Sequence, residues 1–166
     1  MASDMRSMHR TAVDVFPGME IFGIVPLLGA AVLTLNDHFL KAAHPSWSTG
    51  KLSDVAGMMF FPFLLSATWS WGKYAALRLG QKPVFPADVA LTLPVLTVCV
   101  ALSGFCLAFI NISAFGNDCY VQLISALHVF NRSGAVQSTM DASDCLALAI
   151  LPAVWWWGKQ WIDTDR

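Results

Sequence analysis

Four stretches of this chain are apolar over the length that a helix needs to cross a bilayer, and no other feature restricts its folds as much. A hydrocarbon core about 30 Å thick takes about 20 mostly apolar residues in a helix. The stretches run from about Met19 to Leu40, Asp54 to Trp71, Ala87 to Ile110 and Asp144 to Ile162, and Asp88 is the only charge in the third. Strand-like alternation is absent, and lipid demands that every backbone group be bonded internally, which leaves helices. The expectation is an all-α polytopic membrane protein, a four-helix transmembrane bundle forming one domain over residues 1–166. Pro26, Pro62, Pro94 and Pro152 fall one in each stretch. Each is expected to kink its helix or to be covered by neighbours.

Composition agrees. Of 166 residues 56% are hydrophobic and 13% charged, where a soluble domain carries about a quarter charged. The mean hydropathy is +0.57. Low hydrophobicity with high charge, the mark of disorder, is missing. A formal charge of −1 gives no basic excess for nucleic acid. Four Cys are too few for a disulfide-dense secreted module.

The first stretch has a basic start in Arg6 and Arg10, but Asn36, Asp37 and His38 follow it without a small-x-small cleavage site. It reads as an uncleaved anchor. Arg6, Arg10, Lys73, Arg78, Lys82, Lys159 and Arg166 fall on one side of the four spans, against Lys41, Lys51 and Arg132 on the other. The richer side is cytoplasmic, so both termini are expected there, with loops 41–53 and 111–143 outside. Trp69, Trp71, Trp155, Trp156, Trp157 and Trp161 then form an inner aromatic belt.

In the long outer loop, between spans three and four, Gln122, Ser125 and His128 recur every three residues from Cys119 to Phe130. A short interfacial helix with one polar stripe is expected, lying on the leaflet or over the bundle mouth. Asn111-Ile112-Ser113 and Asn131-Arg132-Ser133 match the glycosylation acceptor pattern, which carries no meaning in a bacterial protein. Cys99 and Cys106 read as packing residues of the third span. Cys119 and Cys145, both on the outer side, could pair in an oxidising compartment.

Acids gather at the outer rim. The first span ends in Leu35-Asn36-Asp37-His38-Phe39-Leu40-Lys41, the second is entered through Ser48-Thr49-Gly50-Lys51-Leu52-Ser53-Asp54, and the fourth through Asp141-Ala142-Ser143-Asp144. The clean apolar run of the fourth span, Cys145 to Trp157, is short, so Asp144 is drawn to the hydrocarbon boundary. Such a carboxylate needs a partner, hydration or neutralisation, and Lys41, Lys51 and Arg132 are the outer cations. Two readings fit. In one, Ser53 with Asp54, and Asp141 with Asp144, merely cap helix N-termini. In the other, Asp37, Asp54, Asp141, Asp144, Lys41 and Lys51 form a functional polar cluster. Asp37 favours the second, because a helix C-terminus disfavours an anion.

Paired carboxylates of this kind can divide into acid and base. His38, His44 and His128 beside the acids are candidate metal ligands, though no H-x-x-x-H spacing occurs, and the sequence names no cofactor. G-x-S-x-G is absent. A transporter or channel is disfavoured because the middles of the spans carry no charge.

Asp37-His38-Phe39-Leu40-Lys41 is similar to the D-x-x-x-K of the lipoprotein signal peptidase family, four-helix membrane aspartyl proteases. Gly57-Met58-Met59-Phe60, Gly116-Asn117 and Ala142-Ser143-Asp144 are similar to further motifs of that family in the same order. Val55 replaces its Asn, the Arg after Gly116-Asn117 is missing, and the Phe-Asn before the last motif is absent. The run Leu35 to Lys41 followed by Thr49-Gly50-Lys51-Leu52-Ser53-Asp54-Val55-Ala56-Gly57 resembles a group of small uncharacterised bacterial membrane proteins. That resemblance implies a multi-pass protein of the bacterial inner membrane and no particular activity.

Two functions are carried forward. The first is a non-catalytic accessory or immunity-type membrane protein whose partners are the bilayer and another membrane protein. The alternative is an aspartate- or metal-dependent membrane hydrolase acting on a lipid or membrane-tethered substrate. The first expects Asp37 to pair with Lys41 or Lys51. The second expects the acids of three helix ends to converge.

Overall fold

A computed structural model describes residues 16–127 and 138–164. His128, Arg132, Arg6, Arg10 and Arg166, which entered the orientation and site expectations, lie outside the described residues.

The described fold is all-α, built on five helices. A 3-10 turn at Met19–Phe22 leads into α1, Ile24–Leu35. The winding of α1 does not stop at Leu35. It loosens into a π-helical turn over Asn36–Leu40 and tightens again at Lys41–Ala43. Helix α2 is Trp47–Leu79. A single turn at Pro86–Val89 precedes α3, Leu93–Ile112, and α4 is Ala114–Leu127. The last helix starts as a 3-10 winding over Ala142–Ile150 and continues as α5, Leu151–Thr164.

Two of these helices are long and apolar enough to cross a membrane: Trp47–Leu79, and the continuous stretch Pro86–Ile112. Fewer than half of the residues in either apolar window are buried. Ile24, Val98, Phe105 and Leu146 point their side chains outward. Apolar surface on that scale marks an interaction with something other than water.

Helix α2 is the centre of the fold. The α1 helix lies along it on one side, and α3 and the 3-10 half of the last helix lie on the other. Phe63 of α2, Leu96 and Val100 of α3 and Val154 and Ile162 of α5 form the core, with Leu91. Close approach depends on missing side chains. A Cβ on Gly29 of α1 would stand 2.8 Å from the Ala56 carbonyl oxygen of α2, and one on Gly158 of α5 would meet both methyls of Leu96 at 2.8 Å. Small residues serve this purpose between helices in lipid, where packing replaces the hydrophobic effect.

Pro26 and Pro94 fall in the first turns of their helices, where the missing N–H has no intrahelical acceptor to lose. Pro62 lies inside α2, and Pro152 stands where the 3-10 winding of the last helix passes into α5. The candidate span Pro86–Ile112 agrees with the expected third stretch, and it is interrupted near its start, so that Asp88 lies in the short turn ahead of α3. Its carboxylate accepts the Phe85 N–H at 2.9 Å and closes the short turn before α3.

The outer-loop helix begins earlier than the polar stripe indicates. Only Ser113 separates it from α3, and the Ser113 hydroxyl accepts the Gly116 N–H at 3.3 Å. Gly116 lies against the Phe109 carbonyl so tightly that a Cβ would overlap it. Helix α4 therefore folds back directly from the end of α3, and it packs on α3.

Candidate functional site

The rim cluster is assembled by the first turns of α2. Ser46 caps this helix: its hydroxyl accepts the Thr49 N–H at 3.3 Å, while Thr49 Oγ1 accepts the Ser46 N–H at 3.1 Å. The helix thus starts seven residues ahead of Asp54, and capping by Ser53 with Asp54 is overturned. Lys51, Ser53 and Asp54 instead project from a formed helix. On a helix, residues three apart share a face and adjacent ones diverge. Lys51 and Asp54 accordingly turn to the last helix, and Ser53 turns to α1.

On the α1 side a chain of hydrogen bonds links the helices. Asn36 is fully buried, and its Nδ2 donates to the Thr49 carbonyl and to Ser53 Oγ, each at 2.6 Å. Ser53 Oγ donates to Asp37 Oδ1 at 2.6 Å, and Lys41 Nζ lies 2.7 Å from the same oxygen. Asp37 thus pairs with Lys41, as the non-catalytic expectation requires. It also does not stand at a helix C-terminus, because the π-turn carries the winding on to Ala43. The π-turn sets Asn36 and Asp37 side by side toward α2, a role such turns often have at polar sites. Asn36 Oδ1 is buried without a hydrogen-bond partner.

On the other side Lys51 Nζ donates to Asp144 Oδ1, and to Asp141 Oδ2 at 3.1 Å. Its side chain is only 14% exposed, and the ammonium also stands 5.5 Å from the Trp47 ring. Asp54, one helical turn on from Lys51, lies beside the Asp144 carboxyl. Asp141 caps the 3-10 segment as expected: its Oδ1 accepts the Ser143 N–H at 2.8 Å and the Ser143 hydroxyl at 2.7 Å. The Ser143 hydroxyl and amide, with the Lys51 ammonium, hold the Asp141 carboxyl down at about 2. Asn111 Oδ1 accepts the Asp141 N–H at 3.4 Å, and Asn117 Nδ2 donates to Ser138 Oγ at 2.8 Å. These bonds fasten the end of α3 and the start of α4 to the same rim. Asn111 spends its amide on the Leu107 carbonyl and is buried, so it is no acceptor for a glycan.

Asp54, Asp141, Asp144 and Lys51 are therefore brought together, and Asp37 with Lys41 forms a neighbouring group joined to them through α2. Convergence of the acids from all three helix ends is not what the rim shows. Among the described residues no three His, Cys, Asp or Glu side chains stand together at metal-ligand spacing. His38 follows Asp37 in the π-turn, and His44 enters through its backbone, accepting from Thr49 Oγ1 at 3.4 Å. Cys119 and Cys145 are free thiols.

Sequence reasoning missed a buried acid. Glu20, in the 3-10 turn before α1, is 3% exposed, and Ser66 Oγ of α2 donates to its Oε1 at 2.7 Å. The signal was a carboxylate at the mouth of an apolar stretch facing a serine in another.

No family model, curated protein or solved structure matches the chain. The fold and the rim define an all-α protein with two helices able to cross a membrane by length and composition.

Proposed function

We propose that the chain is a four-span, multi-pass protein of the bacterial inner membrane with both termini in the cytoplasm, and that it acts as a non-catalytic accessory or immunity-type membrane protein. The first and fourth spans are the continuous windings 24–43 and 142–164, which flank the two longer helices. The lysine and arginine distribution supports the orientation, and the resemblance of the rim sequence to small bacterial membrane proteins supports the location.

One observation carries the non-catalytic reading: the rim acids are committed to partners within the chain. Lys51 occupies Asp144 and Asp141, while Lys41 and Ser53 occupy Asp37. An ammonium seated on a carboxylate neutralises the group that would activate water, and removing one partner of such a pair costs more than the pair contributes. The cluster is thus a clasp between α1, α2 and the last helix. Two measurements test this. Single cysteines at Ser48 and Gln81 should react with an impermeant maleimide from opposite faces of the membrane. Asp144→Asn should lower stability and accumulation in cells, with any loss of function following the loss of protein.

A second reading rests on the Asp54–Asp144 contact. Two neighbouring carboxyl groups cannot both ionise easily, which is the basis of an acid–base dyad. A hydrolase acting on a lipid or membrane-tethered peptide follows if Asp54→Asn abolishes cleavage of such a substrate while leaving the protein folded.

A further inference from the structure

The last helix changes its winding partway along. Ala142–Ile150 is a 3-10 helix of nine residues, and α5 takes over at Leu151. Such runs normally end after three or four residues, because their hydrogen bonds are poorer and side chains three apart eclipse. The local sequence also points the other way. Cys145-Leu146-Ala147-Leu148-Ala149-Ile150 is rich in Ala and Leu, the strongest α-formers. Something must hold the tighter winding at both ends.

At the inner end it is Pro152, the second residue of α5. Proline offers no N–H to the carbonyl four residues back, and its ring crowds that carbonyl in an unbroken α-helix. The Leu148 carbonyl instead accepts from the Leu151 N–H, a 3-10 bond. At the outer end Asp141 caps the segment, and Lys51 holds Asp144 in its first turn.

The two windings place Asp144 differently. A 3-10 helix rises about 2.0 Å and turns about 120° per residue, against about 1.5 Å and 100° for an α-helix. Asp144 precedes Leu151 by seven residues. Rewinding about a fixed Leu151 draws Asp144 inward by about 3.5 Å and swings it through about 140°. Lys51 and Asp54, fixed on α2, do not follow. The rim bond fits one winding only.

We propose that Ala142–Ile150 is a two-state segment, wound as a 3-10 helix while Lys51 holds Asp144 and as an α-helix once that bond is released, so that the rim bond sets the length of the last helix. The test is a distance. Nitroxides are placed at Met140→Cys and Thr164→Cys in the detergent-solubilised full chain, with Cys106, Cys119 and Cys145 replaced by alanine, and read by pulsed electron resonance. Lys51→Met should shorten the separation by about 4 Å. Lys51→Arg should leave it unchanged. Pro152→Ala should shorten it with every clasp residue intact, and it decides the matter if Lys51→Met does not fold. A wild-type separation, or a broadened distribution without a shorter peak, in folded Lys51→Met overturns the proposal, as does the same result in Pro152→Ala where Lys51→Met does not fold.

Discussion

The ammonium of Lys51 bonds the carboxylate of Asp144 across 93 positions of the chain and ties α2 to the last helix. Around it stand two further acids, Asp54 and Asp141. One cation therefore serves three carboxyl groups, and its loss is not equivalent to the loss of any one of them.

Lys51→Met should lower the melting temperature of the detergent-solubilised protein more than Asp144→Asn does, because it leaves three acids without a counter-charge. Adding Asp54→Asn to Lys51→Met should recover part of the loss. Circular dichroism melts of the four proteins check the order. Equal effects of Lys51→Met and Asp144→Asn would count against a shared cation.

The Asp141 carboxyl gives a pH dependence whose sign is fixed. Its folded value is about 2 against an ordinary 3.8, so the folded state binds the proton less readily than the unfolded state. The stabilisation is complete above 3.8 and is lost as pH falls through about 2. Wild type and Asp141→Asn should differ by a constant amount in melting temperature from pH 7 to about pH 4.5, draw together below that, and converge only below about pH 1.5. A difference that grows as pH falls contradicts the assignment.

Asn36 and Asp37 are neighbours in sequence but should respond differently. Asn36→Ala removes two buried donor bonds, to the Thr49 carbonyl and to Ser53 Oγ, at a cost of about 1–3 kcal/mol. Asp37→Asn weakens an i,i+4 pair whose two side chains are each 41% exposed, and pairs of that kind contribute at most about 1 kcal/mol. Denaturant titration of the two variants separates them.

Gly29 and Gly158 test how the helices approach. A methyl at Gly29 meets the Ala56 carbonyl oxygen of the backbone, whereas one at Gly158 meets the ends of the Leu96 side chain. Backbone cannot yield as a rotamer can. Gly29→Ala should therefore cost more than Gly158→Ala, with both in the range of about 1–3 kcal/mol.

The helical class and the position of the rim were legible because apolar length and charge placement are linear properties of a sequence. Asp141 as a cap and Lys41 as the partner of Asp37 follow from short-range spacing, and both appear in the structure. Asp54 was misjudged for the opposite reason. Ser53 before an acid looks like a helix start, but the capping pair Ser46 and Thr49 lies further upstream, in a run whose own hydroxyls and glycine conceal the beginning of α2. The π-turn at Asn36 and the 3-10 winding before Pro152 could not be read, since both depend on what the neighbouring helix offers. Asn36, Ser53, Asn111 and Asn117 were likewise unremarkable as letters, and matter only because the fold makes them face one another.

Glu20 imposes an order on assembly. Its hydroxyl donor, Ser66, lies 46 positions downstream. The turn at Met19–Phe22 leaves the ribosome well before that serine exists. The turn before α1 is therefore locked to α2 only after the middle of that helix has been made.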